Sequence, residues 1–125
     1  DAQESRGLGD VYKRQALQVI FRPSVQPYLI TLFREDPAAA FARLKMPALI
    51  IQGSNDIQVS VDDARVLKAA KPDAQLALIE GMNHVMRIVP NDLKRQLASY
   101  KDPQLPLAAE LGSAIIDFID GLHTR

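Results

Sequence analysis

Two short apolar runs constrain this chain more than any other feature. Ala48-Leu49-Ile50-Ile51 is closed by Gln52-Gly53, and Leu76-Ala77-Leu78-Ile79 is closed by Glu80-Gly81. Neither run alternates with polar residues. A strand of that kind has no face to give to water, so it belongs in a sheet covered on both sides, the usual setting of parallel strands. The intervening segment supplies the crossover that parallel strands require. Ser60 can cap a helix start, Asp62 and Asp63 stand where the helix dipole favours negative charge, and Ala64, Leu67 and Ala70 make one inward stripe. The pattern predicts a strand, a helix over Val61–Ala70 and a second strand, joined as a βαβ unit of an α/β fold.

The flanking segments read as helices. Ser24 is placed to cap a helix that carries Tyr28, Leu29, Leu32 and Phe33 on one face, with Pro27 in its first turn. Asp36 is placed to cap a second helix over Ala38–Leu44, and Ala16–Phe21 reads as a helix end before Pro23. Beyond the second strand, Met82-Asn83-His84 reads as loop. Asn91 is placed to cap a helical stretch reaching Tyr100. Leu107–Leu122 is the strongest helix, with Leu111, Ile115, Phe118, Ile119 and Leu122 along one side, and His123-Thr124-Arg125 reads as its frayed end.

Composition removes several classes of function. The chain carries 15 Lys+Arg against 15 Asp+Glu, a net charge of zero, which excludes nucleic-acid binding driven by counterion release. No apolar run approaches the ~18 residues of a membrane span. Without cysteine there is no disulfide, thiolate metal site or Cys nucleophile. His84 and His123 are the only imidazoles, so a zinc cluster lacks ligands and no metal is expected.

The N-terminal segment reads as having a separate origin. Residues 5–15 read S-R-G-L-G-D-V-Y-K-R-Q, which is residue for residue one translated frame of a transposon-based sequencing adapter. The resemblance implies that residues 1–15 are adapter-derived and stand outside the fold. Residues 16–125 are then the authentic sequence, and its gene is expected to continue upstream.

Two residues stand out by position. Asp56 lies just past Gly53, and His84 lies at the same offset past Gly81. Parallel strands joined by a crossover point the same way, so their following loops leave from one edge of the sheet, where open α/β sheets bind ligands. Adjacent strands lie about 4.8 Å apart, which brings a carboxylate and an imidazole on those loops within reach of each other. Such a pair has a defined use: the carboxylate holds the ring in one tautomer and stabilises its charged form during proton transfer. Taken singly, each has a plainer role, Asp56 as a turn residue bonding nearby N–H groups and His84 as a loop histidine. Asp62 and Asp63 compete with Asp56 for the acid, from a helix start.

Pro47-Ala48-Leu49-Ile50-Ile51-Gln52-Gly53-Ser54-Asn55-Asp56-Ile57-Gln58-Val59, followed by Gly81-Met82-Asn83-His84, resembles the last third of an α/β-hydrolase. In that family the pattern P-x-L-I-x-x-G-x-x-D-x-x-V closes strand seven and bears the acid, and G-x-x-H after strand eight bears the base. The helix around Phe118 resembles the family's final helix. The resemblance covers roughly Pro47 to Leu122. It implies the C-terminal fragment of an α/β-hydrolase sheet: the last two parallel strands, their crossover helix and C-terminal helices. Asp56 would orient His84, which would act as general base and then general acid. The implied reaction is cleavage of a small-molecule ester, thioester or peptide bond through an acyl-enzyme, without a cofactor. Within the superfamily the likeness leans toward bacterial esterases and serine-aminopeptidase-like hydrolases.

One departure matters. The family's nucleophile stands on a G-x-S-x-G elbow, which this sequence lacks. Ser24, Ser54, Ser60, Ser99 and Ser113 fit no strand-to-helix elbow, and Ser5 falls in the adapter segment. The nucleophile and oxyanion hole are therefore expected upstream, and the chain as given is expected to be inactive. Residues 16–45 are expected to be the end of a cap over the site or scaffold helices, and Met82 and Met86 to line an apolar acyl pocket. A non-catalytic binding or scaffold protein of the same fold would share every feature here; an upstream elbow separates the two. A flavodoxin-like or regulator domain using Asp56 as phosphate acceptor or metal ligand would need an acidic cluster at further strand ends.

Overall fold

The structure, a computed structural model, describes residues 22–123. The expectations for residues 1–15, for Ala16–Phe21 and for Thr124-Arg125 lie outside the described residues. The chain divides into two compact units between Asp36 and Pro37, inside the 16–45 segment.

The first unit contains helix α1, Gln26–Arg34, with proline in its first turn. Ser24 does not cap it. The N-cap is Val25, in a helical conformation and without a side-chain cap bond. The Val25 and Gln26 amides instead bond back to the Arg22 and Pro23 carbonyls at 2.9 and 3.3 Å, so a backbone turn does the work assigned to the serine. The helix stops where Glu35 turns extended. Tyr28, Leu32 and Phe33 are exposed.

The second unit is built on a two-stranded parallel sheet with helices on both faces. Helix α2, Pro37–Ala42, is shorter than the sequence suggests, because Arg43 and Leu44 close it with tighter bonds to Ala40 and Phe41. Strand β1, Leu49–Gly53, pairs with β2, Gln75–Ile79, in a register running from Leu49↔Gln75 to Gly53↔Ile79. Between them runs α3, Val61–Ala70, with the expected limits and start. Ser60 accepts from the Asp63 amide while the Asp63 carboxylate accepts from the Ser60 amide, a capping box worth about 1 kcal/mol.

Successive side chains of a strand point to opposite faces, and the two cores follow that alternation. Ile50 packs with Ala64 of α3 and with Ala74, joined by Phe41, Leu67 and Leu76. Ile51 packs on the other face against Ile79, Met82, Ala108 and Leu111. β1 is thus covered on both faces, as its sequence demands, whereas β2 buries only Ile79 fully and leaves Leu78 47% exposed, because no third strand or helix covers that side among the described residues.

Two further helices follow. Helix α4, Leu93–Ser99, is capped by Asp92 rather than Asn91; the Asp92 side chain accepts from the Arg95 amide at 2.9 Å. Asp92 is extended and its carbonyl takes the first helical bond from Gln96, which places the start one residue later than expected. Helix α5, Ala109–His123, buries Leu111 and half-buries Phe118, while Ile115, Ile119 and Leu122 stay exposed. Its apolar arc is wider than the surface this unit offers it. No described helix is long and apolar enough to cross a membrane.

Candidate active site

The loops after β1 and β2 are stitched together residue by residue. Gly53, the last residue of β1, lies so close to the Met82 carbonyl that a Cβ there would stand 2.0 Å from its oxygen. Only glycine allows that approach. Next along the chain, the Ser54 amide bonds to the Ile79 carbonyl and the Asn55 amide to the Met82 carbonyl, both at 3.0 Å. Ser54 Oγ accepts from the Gly81 amide at 2.8 Å, and Asn55 Nδ2 donates to the Val89 carbonyl at 2.8 Å. These bonds fix the approach of the two loops before either functional side chain is reached.

Asp56 and His84 meet on this rim. His84 Nδ1 lies 2.9 Å from Asp56 Oδ2, although 28 residues separate them in sequence. The other carboxylate oxygen, Oδ1, accepts from the Gln58 and Val59 amides at 2.8 and 3.0 Å. The Asp56 side chain is 8% exposed and that of His84 40%, so the acid is enclosed and the base opens outward. Burial alone would raise the Asp56 pKa. The Val59 and Gln58 amides and the His84 ring outweigh it, and the carboxyl sits below its ordinary 3.8. Asp56 therefore stays ionised as the ring's partner. Asp62 and Asp63, the competing acids, are engaged elsewhere: Asp62 pairs with Arg65 at 2.8 Å, and Asp63 belongs to the capping box.

The base loop is held by buried polar groups that the sequence did not single out. Asn83, 1% exposed, bonds through its amide and carbonyl to Arg87 and Met86 at 2.9 Å each. Its side chain accepts from the Arg87 amide at 3.0 Å and donates to Ser99 Oγ of α4 at 2.8 Å. Ser99 in turn donates to the Gln96 carbonyl. Met86 has a φ of 62°, the only positive value at a non-glycine among the described residues. The Ala108 amide, just before α5, bonds to its carbonyl at 2.9 Å and holds that conformation. Gln52 of β1 supports the acid loop in the same way. The sole signal for these residues is amide or hydroxyl side chains inside otherwise apolar surroundings.

A cavity of about 330 Å³ opens beside the pair, lined by Ile51, Gly53, Val59, Met82, Met86 and Leu111, with Asp56 and His84 at its wall. Both methionines thus contribute to one apolar surface. Among the described residues, Asp56 is the only side-chain hydrogen-bond partner of His84. Ser54, Ser60 and Ser99 are hydrogen-bonded to other groups. No group of three or more His, Asp or Glu side chains gathers in the described residues to hold a metal ion.

Comparison of the chain with protein-family models and with curated proteins finds no match to either.

Proposed function

We propose that this chain carries the acid–base half of a serine hydrolase of the α/β-hydrolase kind. Asp56 orients the ring, His84 moves the proton, and a serine hydroxyl on sequence outside residues 1–125 attacks the carbonyl of an ester, thioester or peptide bond. The observation that carries this reading is the 2.9 Å contact between His84 Nδ1 and Asp56 Oδ2 on a rim shared by two parallel strands.

With Nδ1–H given to the carboxylate, the lone pair at Nε2 is the ring's remaining acceptor. It takes the hydroxyl proton as the serine oxygen bonds to the carbonyl carbon. It then gives that proton to the departing oxygen, sulfur or nitrogen as the adduct collapses to the acyl-enzyme. Water repeats the cycle: its proton passes to Nε2, its oxygen to the acyl carbon, and the serine recovers its hydrogen. Apart from Gln52, Asn83 and the pair itself, the cavity beside the pair is lined by aliphatic and methionine side chains, without lysine or arginine, which favours an uncharged acyl group.

The test is a polypeptide in which this sequence follows a G-x-S-x-G segment, assayed for hydrolysis of p-nitrophenyl esters and for labelling by a fluorophosphonate. His84→Ala should abolish both while leaving the fold intact. Full labelling and turnover in that variant would contradict the proposal.

A further inference from the structure

We propose that Gln52 is a positioning residue for the acid, its side-chain amide clamping the Asp56 turn from the strand that precedes it. The proposal rests on reading Asp56 and His84 as acid and base.

Gln52 is 7% exposed on a strand that is otherwise apolar. A buried primary amide is costly unless its N–H groups are bonded. Here Nε2 lies 3.1 Å from the Gly53 carbonyl, 3.1 Å from the Val59 carbonyl and 3.4 Å from Asp56 Oδ2. Three acceptors surround one nitrogen, which identifies it as the NH₂ end of the group. Gly53 precedes the acid and Val59 follows it, so a single side chain ties both shoulders of the turn to β1. Val59 is held twice, since its own amide donates to Asp56 Oδ1 at 3.0 Å.

The third contact, the longest, falls on the oxygen that faces His84. Without it, the Gln58 and Val59 amides would restrain Oδ1 alone and the carboxylate could swing Oδ2 out of line with the ring. Gln52 also sits on a strand rather than a loop, so the restraint comes from the more rigid element.

The experiment follows the His84 ring proton by NMR in the 125-residue chain and in Q52M and Q52E. Q52M keeps the volume but has no donor; Q52E keeps length and polarity but donates nothing when ionised. Both should retain the amide pattern of the β1–β2 pair. The His84 Nδ1 proton should exchange with solvent about tenfold faster, the factor carried by one lost hydrogen bond of ordinary strength. Unchanged exchange in a folded variant overturns the proposal. Unfolding of both variants also overturns it, because Gln52 would then serve the fold rather than the acid. A wild-type chain with no protected Nδ1 proton would instead overturn the Asp56–His84 pairing, and this proposal with it, so the two failures are told apart.

Discussion

Asp56 gives one carboxylate oxygen to its own turn and the other to His84. Oδ1 accepts the Gln58 and Val59 amides, and Oδ2 faces the ring at 2.9 Å. The plain role of an aspartate in a turn and its role beside an imidazole are therefore complementary. The turn immobilises the group that the ring needs.

Replacing that group isolates its contribution. In a polypeptide that supplies the serine, Asp56→Asn should lower kcat by about 10⁴-fold, because an amide can offer a donor to Nδ1 and so favours the wrong tautomer. KM should change little by comparison. Steady-state kinetics on the purified variant check this, and a loss below tenfold would remove Asp56 from the acid role.

Acid should destabilise the second unit through the same residue. The folded-state pKa of Asp56 lies below its ordinary 3.8, so folding favours the ionised form. The stabilisation is present above 3.8 and is lost as pH falls through the lower folded-state value. Urea midpoints should fall between pH 6 and pH 3, and Asp56→Asn should flatten that fall. Asp63 and Asp73 are shifted the same way, but both are exposed, so part of the slope remains in the variant. A variant as acid-sensitive as the parent would contradict the assignment.

Two glycines should behave in opposite ways. Gly53→Ala sets a methyl group 2.0 Å from the Met82 carbonyl oxygen, a backbone atom that cannot rotate aside. The expected cost is about 3 kcal/mol, with loss of the contact between the acid and base loops. Gly112, within α5, has open space within 4 Å of the point where a methyl group would stand, and Gly112→Ala should add about 0.5–1 kcal/mol through helix propensity. Chemical denaturation of both variants tests the pair.

The buried polar brace of the base loop should also be measurable. Asn83→Ala leaves the Arg87 amide and the Ser99 hydroxyl without their partner in a site closed to solvent, at a cost of about 1–3 kcal/mol. Ser99→Ala removes the bond from Asn83 and Ser99's own bond to the Gln96 carbonyl but keeps the Arg87–Asn83 bond, and should cost a similar amount. Variants as stable as the parent would show that this network does not hold the base loop.

Much of the second unit is legible in the sequence because its signals are local. Ser60 and Asp63 specify the start of α3 by themselves, and the unbroken apolar runs specify the two strands, of which β1 is covered on both faces and β2 leaves Leu78 exposed. Strand direction and the equal offsets after Gly53 and Gly81 place Asp56 and His84 on one rim, where the structure brings them together. Caps were less legible. Ser24 lost its place to a backbone turn, and Asn91 to the neighbouring Asp92, since several residues near a helix start can serve and tertiary packing selects among them. Gln52 and Asn83 were illegible for a further reason. Their partners at Val59 and Ser99 are brought in by the folding of other segments, and no spacing rule encodes those distances.

The most direct test is the tautomer of His84, read from ring ¹⁵N shifts on the labelled chain with the imidazole neutral. The account predicts a proton on Nδ1, held by Asp56, and a bare Nε2, with the preference lost in Asp56→Ala. A ring protonated at Nε2 in the parent chain, or a tautomer indifferent to Asp56, would contradict it.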